Sequence, residues 1–118
     1  MRDGRVLVVE ANPVVSRAIE KASGSPTFLC DTATDGWAAI ELLEAGDYAA
    51  IVIDTDIPRH SGYGVLTYLR EEVGEDTMRN VIAMTNFDRE EVRRKVGGTV
   101  SVVSKDDAVA AVTRVLNA

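Results

Sequence analysis

The sequence predicts an α/β fold in which five helices cover a doubly wound parallel sheet of five strands. Short apolar runs rich in β-branched residues alternate five times with stretches whose apolar residues recur at helical spacing. The clearest run, Ile51-Val52-Ile53-Asp54, has no polar alternation, which is typical of a strand buried on both faces. Pro58 cannot continue a central strand, so Asp54 is expected at the carboxyl end of this one. Strict strand–helix alternation favours right-handed crossovers and helices on both faces of the sheet.

The first half of the chain contains three predicted strands and two predicted helices. We expect the strands over residues 6–9, 27–33 and 49–54. Asn12 and Pro13 suit the start of the first helix, and Gly24 suits its end. Its inward stripe is predicted as Val14, Val15, Ala18, Ile19 and Ala22. The second helix, capped by Asp35 and ended by Gly46, places on one face Trp37, Ile40 and Leu43, with Trp37 at the edge of the core.

The second half continues the alternation with two strands and three helices. The strands are predicted over residues 81–85 and 100–104, and the helices over 62–73, 88–96 and 106–116. The helix over 88–96 has the weakest pattern, although Asp88 and Glu91 resemble a capping box. The inward residues are predicted as Val65, Leu66, Leu69 and Val73, then Val92 and Val96, then Ala108, Val112, Val115 and Leu116.

Length, charge and cysteine content exclude several classes of protein. The 118 residues, 46% of them hydrophobic, are enough for one domain with one real core. A net charge of −6 argues against direct nucleic-acid binding, and no apolar run approaches the roughly 20 residues that span a bilayer. The run that follows Arg5 is too short for a signal peptide, and Cys30, expected to pack as a small hydrophobe, has no disulfide partner. We therefore expect a cytoplasmic protein.

Four polar residues follow successive strand ends, where the ligands of open α/β sheets bind. They are Glu10, Asp54, Thr85 and Lys105. Taken singly, each has an ordinary structural interpretation, such as a turn-forming aspartate or a solvated lysine. Together, two carboxylates suit Mg²⁺, while a hydroxyl and an ammonium suit the charge on a transferred phosphoryl group. The set predicts phosphoryl-transfer chemistry at this edge.

Over its whole length the chain resembles the receiver domain of two-component response regulators. The resemblance is carried by Val6-Leu7-Val8-Val9-Glu10 with Asn12-Pro13, by Ile53-Asp54-Thr55-Asp56-Ile57-Pro58 with Gly62, by Met84-Thr85, and by Gly98 and Lys105. It implies a flavodoxin-like sheet of order 2-1-3-4-5, with Asp54 as phosphoacceptor and with Thr85 and Lys105 stabilising the phosphate. It also implies a Mg²⁺ site formed by Glu10, Asp54 and the main-chain carbonyl of Asp56.

Four positions depart from the pattern of that family. Ala11 replaces the second acid of the metal-binding pair, so Mg²⁺ affinity depends on whether Glu10 or Asp56 substitutes for it. Asp106 replaces a proline that is often cis, and we expect a trans bond here because a non-proline cis bond costs roughly 3 kcal/mol. Val102 stands at the position of the switch aromatic residue and is expected in the core. Asn86, beside Thr85, either crowds the site or adds a hydrogen bond to it.

The resemblance implies one receiver domain over residues 1–118, without an output domain in this chain. Such a receiver accepts a phosphoryl group from a sensor histidine kinase or a phosphotransfer protein. The basic cluster of Arg89, Arg93, Arg94 and Lys95 is either a solvated face or a contact surface, since the family uses its fourth helix and fifth strand for dimers and outputs. The alternatives are a degenerate receiver that binds partners without phosphorylation and, less favoured, a small phosphatase of the haloacid-dehalogenase type that uses Asp54 and Asp56. His60 is expected to be an exposed loop residue.

Overall fold

Five parallel strands form a single sheet in the order β2-β1-β3-β4-β5 in the computed structural model, which describes residues 4–23, 28–57, 62–74, 77–97 and 100–117. The strands are β1 (Gly4–Val9), β2 (Phe28–Ala33), β3 (Ala50–Asp54), β4 (Val81–Thr85) and β5 (Ser101–Ser104). The predicted fold class and strand order are confirmed. The sequence signals at Gly24, Thr27, Pro58, His60 and Gly98 lie outside the described residues.

Five α-helices connect or follow the strands. They are α1 (Pro13–Ser23), α2 (Gly36–Ala45), α3 (Gly62–Tyr68), α4 (Arg89–Val96) and α5 (Ala108–Leu116). The prediction of one continuous helix over 62–73 was wrong in part, because α3 gives way to a π-helical segment, Leu69–Val73, followed by a 3₁₀ turn, Thr77–Asn80. The last helix begins with a 3₁₀ turn, Lys105–Asp107. None of the helices in the described part of the chain is long and apolar enough to cross a membrane.

The sheet separates two apolar layers, and every residue of β3 is buried between them. Leu7, Val9, Ile51 and Ile53 face the layer that includes side chains of α2, α3 and α4. Val6, Val8 and Val52 face the layer that includes side chains of α1 and α5. Because successive side chains of a strand point to opposite faces, burial on both faces requires the uninterrupted apolar runs seen in the sequence.

The predicted inward stripe of α1 was largely wrong. Ile19 is buried as expected, but Ala18 and Ala22 are exposed and Val14 is 73% exposed, while Ser16 and Ser23 are buried instead. Each serine donates its hydroxyl to a main-chain carbonyl of its own helix, with Ser23 Oγ 2.6 Å from the Ile19 oxygen. A hydroxyl satisfied within its helix can face the core, so apolar spacing alone misplaced the buried face.

Two other core predictions were wrong, whereas the helix caps were right. Trp37 is 58% exposed and Val73 is 47% exposed, so neither is a core residue. Asp35 caps α2 by accepting a hydrogen bond from the Ala38 amide at 2.9 Å. Asp88 caps α4 but accepts from the Glu90 amide, also at 2.9 Å, rather than closing the predicted box with Glu91.

Candidate functional site

The carboxyl edge of the sheet brings together three of the four residues predicted from strand ends. Parallel pairing sets Val9 of β1 beside Ile53 of β3, so Glu10 leaves its strand next to Asp54. Lys105 directly follows β5, and its side chain reaches across to both carboxylates. The predicted convergence of Glu10, Asp54 and Lys105 is therefore seen in the structure.

The Lys105 ammonium lies between the two acids. Its Nζ atom is 2.8 Å from Glu10 Oε1 and 2.9 Å from Asp54 Oδ2. Both acids are buried, Glu10 being 1% exposed and Asp54 4% exposed, and the lysine side chain is only 16% exposed. One ammonium and two carboxylates leave the group one negative charge in excess when all three are ionised.

Burial and charge shift the proton affinities of this cluster. Burial is the largest influence on Glu10 and raises the pKa of its carboxyl; the Asp54 carboxylate adds to that effect, and Lys105 partly offsets it. Burial by itself would lower the pKa of Lys105, but hydrogen bonds to Glu10 and Asp54 outweigh it and raise that pKa above its ordinary value. Lys105 is therefore held as a cation, and the raised pKa of Glu10 means that its ionised form is less favourable here than that of an exposed carboxylate.

Main-chain amides hold the remaining oxygen atoms. Asp54 Oδ1 accepts from the Asp56 amide at 3.0 Å, and Glu10 Oε2 accepts from the Asn12 amide at 3.3 Å. Thr85, which is 1% exposed, accepts from the Phe87 amide at 3.0 Å through its Oγ1 atom. The Thr85 hydroxyl thus sits at the same edge, held by its own turn, and its O–H group can donate to a ligand.

A close backbone contact beside the site was not anticipated from the sequence. A Cβ atom at Gly62, the first residue of α3, would lie 2.3 Å from the main-chain oxygen of Asp54 and 2.7 Å from the Thr55 Cα atom. Only glycine allows α3 to start this close to the end of β3. The sequence marks Gly62 as a helix start, but only the fold shows what its missing side chain permits.

Comparison with known proteins agrees with this geometry. The sequence profile of the response regulator receiver domain matches residues 6–116. The chain belongs to this receiver family. The transcriptional regulatory protein TcrA of Mycobacterium tuberculosis is 34% identical to the receiver over 68 residues, which are 58% of this chain and 27% of TcrA. The receiver thus aligns with about a quarter of the length of that relative.

Solved structures show the same fold at low sequence identity. The Mn²⁺-bound form of the response regulator Rcp1 has a TM-score of 0.74 at 19% identity, covering 95% of this chain and 91% of its own. The receiver domain of the sensor histidine kinase PA1611 from Pseudomonas aeruginosa, with magnesium coordinated in its active-site cleft, has a TM-score of 0.73 at 22% identity. It covers 98% of this chain and 99% of its own. Divalent ions are thus found in receivers of this fold.

The positions that depart from the family pattern fall around the cluster. Val102 is buried in the core layer that includes side chains of α2, α3 and α4, as predicted. No peptide bond in the described ranges is cis, so the bond between Lys105 and Asp106 is trans, also as predicted. Asn86 is exposed, as is Ala11. The 3₁₀ turn that begins at Lys105 is closed by Ser104, whose Oγ accepts from the Asp107 amide at 3.3 Å.

The donor set does not fit a divalent ion well. Glu10 and Asp54 are the two buried carboxylates of the site, and both are engaged by one ammonium. Ala11 has no donor atom, and the Asp56 side chain is exposed. In the part of the chain that the structure describes, no group of three or more His, Cys, Asp and Glu side chains is placed to hold a metal ion. The predicted Mg²⁺ site of Glu10, Asp54 and the main-chain carbonyl of Asp56 therefore stays a prediction.

Proposed function

We propose that this receiver accepts a phosphoryl group on Asp54 and thereby switches a surface that binds another protein. The observation that carries the proposal is the position of the Asp54 carboxylate, buried at the carboxyl edge, 2.9 Å from the Lys105 ammonium and beside the Thr85 turn. The donor would be a phosphohistidine of a sensor kinase or a phosphotransfer protein. Such kinases phosphorylate receivers in the cytoplasm, where we propose that this chain works.

In this transfer the phosphohistidine supplies the phosphoryl group, and the site supplies the acceptor oxygen and two hydrogen-bond donors. An Asp54 carboxylate oxygen forms the new P–O bond as the P–N bond to the donor imidazole breaks. The electron pair of the broken P–N bond stays on the imidazole nitrogen. Lys105 and the Thr85 hydroxyl would donate hydrogen bonds to the phosphoryl oxygens, where negative charge accumulates. Because Lys105 now pairs with Glu10 and Asp54, moving it toward the phosphoryl group would alter both ion pairs.

The output surface that we favour is formed by α4 and β5. The Arg93 guanidinium donates to the Val102 main-chain oxygen at 3.5 Å and also pairs with Glu90. The Lys95 ammonium lies 5.1 Å from the ring centroid of Tyr63 on α3. These contacts tie the basic cluster to its neighbours, and we propose the α4–β5 face as the site of output contacts or of a homodimer.

Phosphorylation is tested by incubating the purified chain with acetyl phosphate, and separately with a phosphorylated histidine kinase, with and without Mg²⁺. Intact-mass measurement should show one added phosphoryl group, which is lost in Asp54→Asn. Asp47→Asn is the matched control, because that exposed side chain precedes β3 and therefore lies at the opposite end of the strand from Asp54. Absence of labelling under every condition, or equal labelling of Asp54→Asn, would refute the proposal.

A second candidate is a binding module that works without phosphorylation. The observations that favour it are Ala11, which removes a metal ligand, and Val102, which packs in the core in place of a rotating aromatic ring. In that case Asp54→Asn would leave binding of the output partner unchanged. Membership of the receiver family argues against the hypothesis that this chain is a phosphatase of the haloacid-dehalogenase type.

A further inference from the structure

The cation of this acidic site is part of the chain itself. The Lys105 Nζ atom contacts both buried carboxylates at 2.8 and 2.9 Å. Its backbone is held in a 3₁₀ turn that Ser104 caps, so the ammonium is delivered from a fixed position. Because only 16% of its side chain is exposed, Lys105 is part of the buried cluster and differs from a lysine on the protein surface.

We infer that this receiver does not bind Mg²⁺ or Mn²⁺ appreciably at millimolar concentrations, because Ala11 has no donor atom and Lys105 already pairs with both buried carboxylates. The inference concerns the resting cluster, and it holds whether or not Asp54 is phosphorylated. It sets this chain apart from receivers of the same fold that hold Mn²⁺ or Mg²⁺.

The net charge of the site favours binding of a divalent ion, whereas the small number of ligands opposes it. The number of ligands is decisive. The excess negative charge attracts a cation, but Mg²⁺ requires near-octahedral oxygen coordination and gives up its water reluctantly. Besides the predicted main-chain carbonyl of Asp56, the site offers two carboxylates. To bind the ion, Asp54 would have to give up its hydrogen bond from Lys105, and Glu10 would have to give up its ion pair with the same ammonium. The methyl group of Ala11 has no oxygen or nitrogen atom that could coordinate the ion. Within the described residues Glu10 Oε1 accepts no hydrogen bond, so the ion pair with Lys105 is what neutralises it. A metal ion would therefore break both ion pairs of Lys105 and still have an incomplete coordination shell.

A carboxylate at residue 11 should reverse this balance. Ala11→Asp adds a third acid beside Glu10, which increases the negative charge around Lys105 and supplies a ligand at the same time. Asn12→Asp is the matched control: it adds the same charge one residue further on, at an exposed side chain whose Oδ1 caps α1 by accepting from the Val14 amide at 2.9 Å. The control keeps the cap oxygen and should bind metal no better than the unaltered chain.

The experiment is a Mn²⁺ titration followed by paramagnetic broadening of assigned amide signals, with thermal unfolding in Mg²⁺ as a second readout. The unaltered chain and Asn12→Asp should show no saturable broadening centred on Glu10 and Asp54, and no rise in Tm with Mg²⁺. Ala11→Asp should show both, with an apparent Kd at least about tenfold lower.

Two results would overturn the inference. One is saturable broadening around Glu10 and Asp54 in the unaltered chain that disappears in Glu10→Gln. The other is an equal response of the unaltered chain and Ala11→Asp. If Ala11→Asp does not fold, Ala11→Asn replaces it: the amide oxygen supplies the missing ligand without adding charge, so Mn²⁺ should broaden the same signals, and their failure to broaden would equally refute the inference. Phosphorylation of Asp54 is scored separately by mass, so the two proposals fail independently.

Discussion

Replacing Lys105 with methionine should destabilise the chain strongly at neutral and alkaline pH. Methionine retains most of the length and apolar character of the side chain but removes the ammonium. The carboxylates of Glu10 and Asp54, 1% and 4% exposed, then lose their shared counter-charge. Leaving a buried charge without its partner typically costs about 3–5 kcal/mol, a large share of the roughly 5–15 kcal/mol that holds a domain folded.

The expected change in Tm follows from this cost in the free energy of unfolding. At about 2 cal/mol/K per residue, a chain of this length has an unfolding entropy of about 250 cal/mol/K, so 3–5 kcal/mol lowers Tm by about 12–20 °C. The effect should depend on pH because the folded-state pKa of Glu10 is raised. A carboxyl with a raised pKa contributes stability that is fully present below its unfolded pKa and is lost as pH rises through the folded pKa. Lys105→Met raises the pKa of Glu10 further, so the loss should be larger at about pH 8 than at about pH 5.

Urea unfolding followed by circular dichroism at both pH values measures the effect. Glu10→Gln/Lys105→Met completes a double-mutant cycle, and in that background Lys105→Met should cost less because one carboxylate is already neutral. Two outcomes would refute the reasoning. One is a loss below about 1 kcal/mol at pH 8, the upper range for an exposed ion pair. The other is an equal loss at both pH values.

Three further predictions concern other parts of the chain. Gly62→Ala should cost about 1–3 kcal/mol in urea unfolding, because its Cβ atom would lie 2.3 Å from a main-chain oxygen at the end of β3. Gly46→Ala, which meets nothing within 4 Å, should change stability by less than about 0.5 kcal/mol, and equal losses would contradict the close contact. Asp35→Ala should cost about 1 kcal/mol or more in the same assay through loss of the α2 cap, and an unchanged urea midpoint would argue against that cap. Burial and the hydrogen bond to Asp31 raise the pKa of Tyr48 to about 12, so ultraviolet titration should show one phenol that ionises late. In Asp31→Asn that phenol should titrate closer to pH 10, and an unaltered curve would exclude Asp31 as a cause.

Much of the site could be predicted because its residues occupy comparable positions on successive strands. Glu10, Asp54, Thr85 and Lys105 each end or directly follow an apolar run, and parallel pairing must bring such ends to one edge. The caps at Asp35 and Asp88 were also predictable, because a cap acts on amides two or three residues along the chain.

Predictions failed where burial depends on distant neighbours. Apolar spacing placed Trp37 and Val73 in the core, and both are exposed. It overlooked Ser16 and Ser23, which are buried because their hydroxyls are satisfied by their own helix. Hydropathy records what a side chain prefers, whereas the helix packed beside it decides which face is covered.

The amino-acid sequence was enough to establish the alternation of strands and helices, the edge of the sheet at which the polar residues meet, and the lack of a donor atom at Ala11. Those properties depend on local periodicity and on the identity of single residues. The three-dimensional fold was needed to show that one ammonium is shared between Glu10 and Asp54, and that α3 starts against the backbone of β3. Lys105 and Asp54 are 51 residues apart in sequence, and the contact between them exists only because the order of the parallel strands returns both chain segments to one edge.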